Sequence, residues 1–172
     1  MFNKKVKRNR VLIFLDFDNL FINFKFSRPS FIDELNKALR QIAKEIGEII
    51  GVFVFAPYQT QITFGETLYK ENFFLIVCPK VKTKDGQEKD TTDEIIIKLG
   101  EKMISEMPAI THFFLGSGDS DFETLLKEAS LHGLDTGIIS SDLESLSSNL
   151  IPHINRKPNT KEKMIYILSS QE

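Results

Sequence analysis

The chain has no tryptophan and a single cysteine, Cys78, among its 172 residues. One cysteine excludes an internal disulfide and a thiolate metal site, and it suits a reducing cytoplasm. No apolar run approaches the roughly 20 residues that span a bilayer, so no membrane segment is expected. Lys4, Lys5, Lys7, Arg8 and Arg10 precede the apolar Val11–Leu15, superficially as in a signal peptide. Asp16 and Asp18 interrupt that stretch too early, and no small-residue cleavage site follows. A large excess of one charge is missing too. The formal net charge is −2, so any hold on nucleic acid has to come from local patches. Without repeats, low-complexity tracts or an interdomain linker, residues 11–172 read as one domain behind a basic tail of residues 1–10.

What is present is ordinary for a globular chain: 41% hydrophobic and 27% charged residues. Five short apolar runs, Val11–Leu15, Ile50–Ala56, Phe73–Cys78, His112–Leu115 and Thr136–Ser140, are rich in β-branched or aromatic residues. Their continuous rather than alternating hydrophobicity suits strands covered on both faces. Between them lie helical patterns. Ser30 is placed to cap a helix carrying Phe31, Leu35, Ala38, Leu39, Ile42 and Ile46. Thr91–Met107 presents Ile95, Ile96, Leu99 and Met103 on one face, and Ser120–Leu131 carries Phe122, Leu125, Leu126 and Ala129. Tyr58–Asn72 is read as a short helix and Met164–Leu168 as an added edge strand, whereas Asn155–Lys163 is polar and without pattern. The alternation predicts right-handed crossovers and an α/β fold. The expected architecture is a Rossmann-like three-layer α/β/α sandwich with a mostly parallel sheet, ordered 3-2-1-4-5.

In such sheets ligands bind outside the carboxyl ends of the strands, where strand order reverses. Asp16 and Asp18 end the first strand, Asp119 and Asp121 follow the fourth, and Asp93 opens the helix leading into it. Carboxylates gathered at one place repel one another unless a cation neutralises them. Oxygen-only ligands suit Mg²⁺ or Mn²⁺, and two such ions about 4 Å apart can drive phosphodiester hydrolysis. The competing account is helix capping. Thr91-x-x-Glu94 and Ser120-x-x-Glu123 both match a capping box, and acids in a first turn favour the helix dipole. On this reading capping explains Asp93 and Asp121 more readily than it explains Asp16 and Asp119.

Three motifs between Val11 and about Ser148 resemble those of the NYN domain family, a branch of the PIN-like nucleases. The first is an apolar strand ending in Asp16, with Asn19 three residues on. The second is the lysine-rich turn Lys82, Gly86 and Lys89 ahead of Asp93, and the third is Ser-Gly-Asp-Ser-Asp-Phe at Ser117–Phe122. The resemblance implies a PIN-like sandwich and divalent-metal-dependent RNA cleavage. It implies metal-binding roles for Asp16, Asp93, Asp119 and Asp121, with Asn19 and Ser117 as supporting contacts. Phe17 stands where the family commonly has a small residue, which would narrow the pocket, and Asp90 is an extra acid. Asp18 and Asp90 are left outside the proposed ligand set.

Lys80, Lys82, Lys84, Lys25 and Arg28 should sit on the catalytic side and hold a nucleic-acid backbone, unless they are simply solvated. Phe17, Phe21 and Phe24 read as a helix packing stripe, with base stacking by one or two of Phe17, Phe21, Phe24 and Phe26 as the alternative. His112, His132 and His153 lack metal spacing. Two rival functions remain. Asp16-Phe17-Asp18 also resembles the nucleophile and acid pair of a haloacid dehalogenase phosphatase, although Leu20 departs from that motif and no insertion supplies a cap. The other rival is a non-catalytic RNA-binding protein on the same fold. Expected partners are RNA, with DNA left open, no membrane, and a second copy in a homodimer, the commonest assembly.

Overall fold

The computed structural model describes residues 8–24 and 28–168, with residues 28 and 29 by backbone only. Most of the basic tail, Lys25, Phe26 and the side chain of Arg28 therefore lie outside the described residues. Six strands form one sheet: β1 (Arg10–Asp16), β2 (Glu48–Ala56), β3 (Phe74–Val77), β6 (His112–Gly116), β7 (Asp135–Ser140) and β8 (Ile165–Ile167). Their order is β3-β2-β1-β6-β7-β8, and every neighbouring pair is parallel. Counted within the sheet this is 3-2-1-4-5-6, so the expected order holds and Met164–Leu168 supplies the sixth strand. Strand order reverses between β1 and β6, which makes their carboxyl ends the switch point.

The reason for parallel pairing is visible in β1 and β6. From Val11 to Asp16 and from His112 to Gly116 every residue is buried, as strands with both faces covered require. Five helices supply the layers: α1 (Phe17–Asn23), α2 (Arg28–Glu45), α3 (Tyr58–Lys70), α4 (Thr92–Glu106) and α5 (Glu123–Leu131). All six expected apolar positions are buried, five in α2 and Ile46 just past its end, but the helix begins at Arg28, so Ser30 lies inside its first turn rather than capping it. The region read as a short helix is a full 13-residue helix, α3, begun after Pro57. In α4 the buried stripe is Thr92, Ile96, Gly100 and Ile104, with the expected Ile95, Leu99 and Met103 beside it, partly buried against the core. Gly100 lies at the contact with α5. A Cβ there would lie 2.8 Å from Leu125 of α5, so its bare backbone lets the two helices close.

The crossover from β3 to α4 also carries an antiparallel hairpin of β4 (Lys80–Lys82) and β5 (Glu88–Asp90). Gly86, at φ +77°, closes its turn in the left-handed region that glycine enters without steric cost. Among the described residues no helix is long and apolar enough to cross a membrane.

Candidate active site

Three chain segments meet at the carboxyl edge of the sheet. β1 passes into α1 with no loop, and this makes Asp16 both the last strand residue and the cap of the helix. Its Oδ1 accepts the Asn19 backbone N–H at 3.2 Å. Beyond β6, Asp119 caps a 3-10 turn at Ser120–Phe122, its Oδ1 accepting the Asp121 N–H at 3.0 Å. At α4 the cap residue Thr91 makes no side-chain cap bond; Asp90, one residue before it, instead accepts with its Oδ1 from the Thr92 N–H at 2.8 Å and the Thr92 hydroxyl at 2.6 Å.

Asp16 and Asp119, the acids that capping is expected to explain least, do cap. Asp93 and Asp121 stand in first turns, as expected, without capping. Neither sequence capping box forms. Thr91 donates its hydroxyl to the Pro79 carbonyl at 2.6 Å, and Glu94 pairs with Lys89. Glu123 is engaged by Lys127 at 2.6 Å and His153 at 3.2 Å. The reason is steric economy: with no loop after β1, the acid at the strand end is the only side chain placed to meet the first N–H groups of the helix. A cap uses one carboxylate oxygen and leaves the other for a second partner.

Asp93, Asp119 and Asp121 each offer a carboxylate oxygen, and these oxygens lie within 4.8 Å of one another. Asp16 is outside that triad but in the same open cleft of about 260 Å³, whose wall is Asp16, Asp18, Asn19, Asp90, Thr92, Asp93 and Asp119. Asp16 is only 6% exposed. Burial pushes its carboxyl up to about 7; the Asn19 N–H opposes this, while the charges of Asp93, Asp18 and Asp90 add to it. Asp93 is also raised, by burial first and then by Asp119, Asp121, Asp90 and Glu94. Among the described residues none of Asp16, Asp93, Asp119 and Asp121 has a lysine or arginine within ion-pair distance. Carboxylates so close, with no lysine or arginine paired to them among the described residues, could hold a hard divalent cation.

The sequence profile of the NYN domain matches residues 10–158. This chain belongs to the NYN domain family. Membership implies a PIN-like nuclease of a generally divalent-metal-dependent kind, and the acidic cluster is compatible with it. Among solved structures, the NYN chain is similar to a Vibrio parahaemolyticus protein of unknown function, with a TM-score of 0.73 at 16% identity over 97% of each chain. That likeness fits the PIN-like fold. MurG of Acinetobacter baumannii aligns with a TM-score of 0.45 at 12% identity, over 95% of this chain and 47% of its own. No curated protein matches.

Around the acids, the NYN domain supports its loops from residues far apart. Asn19 lends its N–H to Asp16 and its side-chain oxygen to the Gly118 N–H at 3.5 Å, tying α1 to the β6 loop. Ser117, fully buried, accepts the Asp119 N–H at 3.2 Å. Asp18 and Asp90, left out of the ligand set on sequence, both stand on the cleft wall. Asp18 is fixed by the Thr60 hydroxyl of α3, which donates to its Oδ1 at 2.8 Å. No pattern in the sequence points to Thr60. Phe17 does not narrow the cleft. It is fully buried, with ring centroids 5.2 Å from Phe31 and 5.0 Å from Phe64.

Gly118 has a tertiary reason. A Cβ there would sit 2.0 Å from the Ser145 carbonyl oxygen, in a loop whose Ser147 N–H donates to the Gly118 carbonyl at 2.9 Å. Gly118→Ala is expected to cost about 1–3 kcal/mol of stability through overpacking against backbone. Turnover should fall with it, because the adjacent Asp119 must move. Thermal melts beside an activity assay check this; an unchanged melting temperature contradicts it.

The lysines have company. In the hairpin register Lys80 faces Asp90 and Lys82 faces Glu88, opposite-charge neighbours across the strands. From residue 80 to residue 90 four lysines stand against three acids, Asp85, Glu88 and Asp90, a net of +1. The hairpin adjoins the cleft through Asp90, but it is not a strongly basic surface.

Proposed function

We propose that this NYN domain is a ribonuclease that hydrolyses phosphodiester bonds of RNA with Mg²⁺ or Mn²⁺, in a reducing cytoplasm. The observation that carries this reading is the convergence of three aspartate oxygens within 4.8 Å from two separate segments, none paired with a lysine or arginine among the described residues. Asp93, Asp119 and Asp121 would hold a cation, with Asp16 contributing from the buried wall of the same cleft. When bound, a divalent ion supplies charge neutralisation for phosphate and acidification of water. The chain's own part is positional. Capping holds one oxygen of Asp16 and of Asp119 in place, Asn19 ties α1 to the loop after β6, and Ser117 braces Asp119 within that loop. Lys80, Lys82 and Lys84 would meet the strand's backbone as it leaves the cleft. The family match favours this reading over the phosphatase.

The test is incubation with labelled single-stranded RNA, with Mn²⁺ and with chelator. Cleavage confined to the Mn²⁺ arm, leaving 5′-phosphate ends, is the expected result. Cleavage indifferent to chelator removes the metal from the mechanism. Phosphate released from a small phosphoester, with covalent labelling of Asp16, favours the phosphatase instead.

A further inference from the structure

We infer that Tyr58 is a stacking platform for an unpaired base of the strand bound at the acidic cleft. This rests on the nuclease reading and narrows its substrate to single-stranded RNA. Tyr58 opens α3 directly after β2, and Phe55 at the end of β2 is the register partner of Asp16. Two residues on, the Thr60 hydroxyl is bonded to Asp18 on the cleft wall. The first turn of α3 is thereby pinned to the rim of the site. Tyr58 is 63% exposed, and its ring packs on no other described aromatic ring, unlike the buried knot of Phe17, Phe21, Phe31 and Phe64 beside it.

The charge balance gives such a ring work to do. The chain carries a net −2 and the adjacent hairpin only +1, so the hairpin by itself grips phosphates outside the cleft weakly. Stacking supplies a hold that does not depend on charge and tolerates every base, but it needs a base free of its pairing partner. Ile62 and Tyr69, 64% and 76% exposed, continue the same face of α3 away from the cleft. Tyr69 stands about 16 Å along the helix, beyond the reach of the same nucleotide. It is a built-in control.

The absence of tryptophan makes the experiment direct. Tyr58→Trp and Tyr69→Trp each create a single reporter, read in an Asp119→Asn background that leaves the strand uncut. Oligoadenylate should quench emission at position 58 and leave position 69 unchanged. In otherwise wild-type protein, Tyr58→Ala should raise KM for single-stranded RNA about tenfold with kcat within about twofold, and Tyr58→Phe should restore it. Equal quenching at both positions, or a KM untouched by Tyr58→Ala, overturns the inference. So does an emission change without RNA that grows with protein concentration at both positions, which would make the α3 face a contact between copies of this chain. Failure of the wild type to cut RNA falls on the nuclease reading instead, and the quench at position 58 still decides whether a base stacks there.

Discussion

Asp93→Asn is expected to lower turnover of single-stranded RNA on the order of 10³-fold, the scale seen when one preorganised electrostatic group is removed from an active site. The same substitution is expected to raise the melting temperature of the metal-free protein. Asp93 caps nothing, has no cationic partner among the described residues, and is held above its ordinary range by burial and by the charges of Asp119 and Asp121. Asparagine keeps the size of the side chain and removes the repulsion. Each kcal/mol so relieved is worth about 2–4 °C in a chain of this size. Opposite movements of activity and stability mark a group retained for function at a cost to the fold. Activity within about twofold of wild type would show Asp93 to be dispensable to catalysis, against the proposed ligand set.

Stability of the metal-free protein is expected to fall as pH rises from about 4 to about 7, and Mn²⁺ should reverse that loss. Asp16 has a folded pKa of about 7 against 3.8 for the ordinary group. Across that window the folded state binds more protons than the unfolded state, so unfolding becomes easier as pH rises. Above pH 7 the penalty is complete, at about 4 kcal/mol as an upper figure. A divalent cation takes the place of the proton. Its stabilisation should thus be large at pH 8 and small at pH 5, where protons compete for the same oxygens.

His112 acts in the opposite direction. Burial lowers its pKa, only partly offset by Asp135 at 3.6 Å, so its contribution is lost as the solution becomes acidic. Asp16→Asn separates the two, since asparagine still caps α1. The variant should lose most of the fall in stability between pH 4 and 7, leaving the part due to Asp93, and keep the His112 contribution. Melts at several pH values, with Mn²⁺ or chelator, check this. A slope unaltered by Asp16→Asn would remove Asp16 as its source.

The sheet was legible because its information is local. Val11–Leu15 and His112–Leu115 are unbroken apolar runs, and an alternation of strands with helices admits few topologies. The acids of the motifs were legible because strand ends must share one edge. The roles of those acids were not. By spacing alone Asp16 and Asp119 are acids that capping explains poorly, yet both cap, while the capping boxes at Thr91 and Ser120 do not form. Sequence spacing marks who stands near a helix start; the direction in which the preceding chain enters decides whose oxygen reaches the N–H groups.

By itself, then, the sequence determined the α/β class, the strand order, the family and the acidic positions, all properties of short segments read with their period. Tertiary structure alone decided which oxygens converge and what holds them. Asp93 and Asp119 are 26 residues apart and Asp16 is 77 residues before Asp93, so only the crossovers bring them to one cleft. Gly118 is required by the Ser145 carbonyl, Asp18 is steadied by Thr60, and the hairpin lysines face acids across their strands. Each of these is a contact between segments whose separation has no period to read. Its strength depends on distances that exist only once the chain has closed on itself.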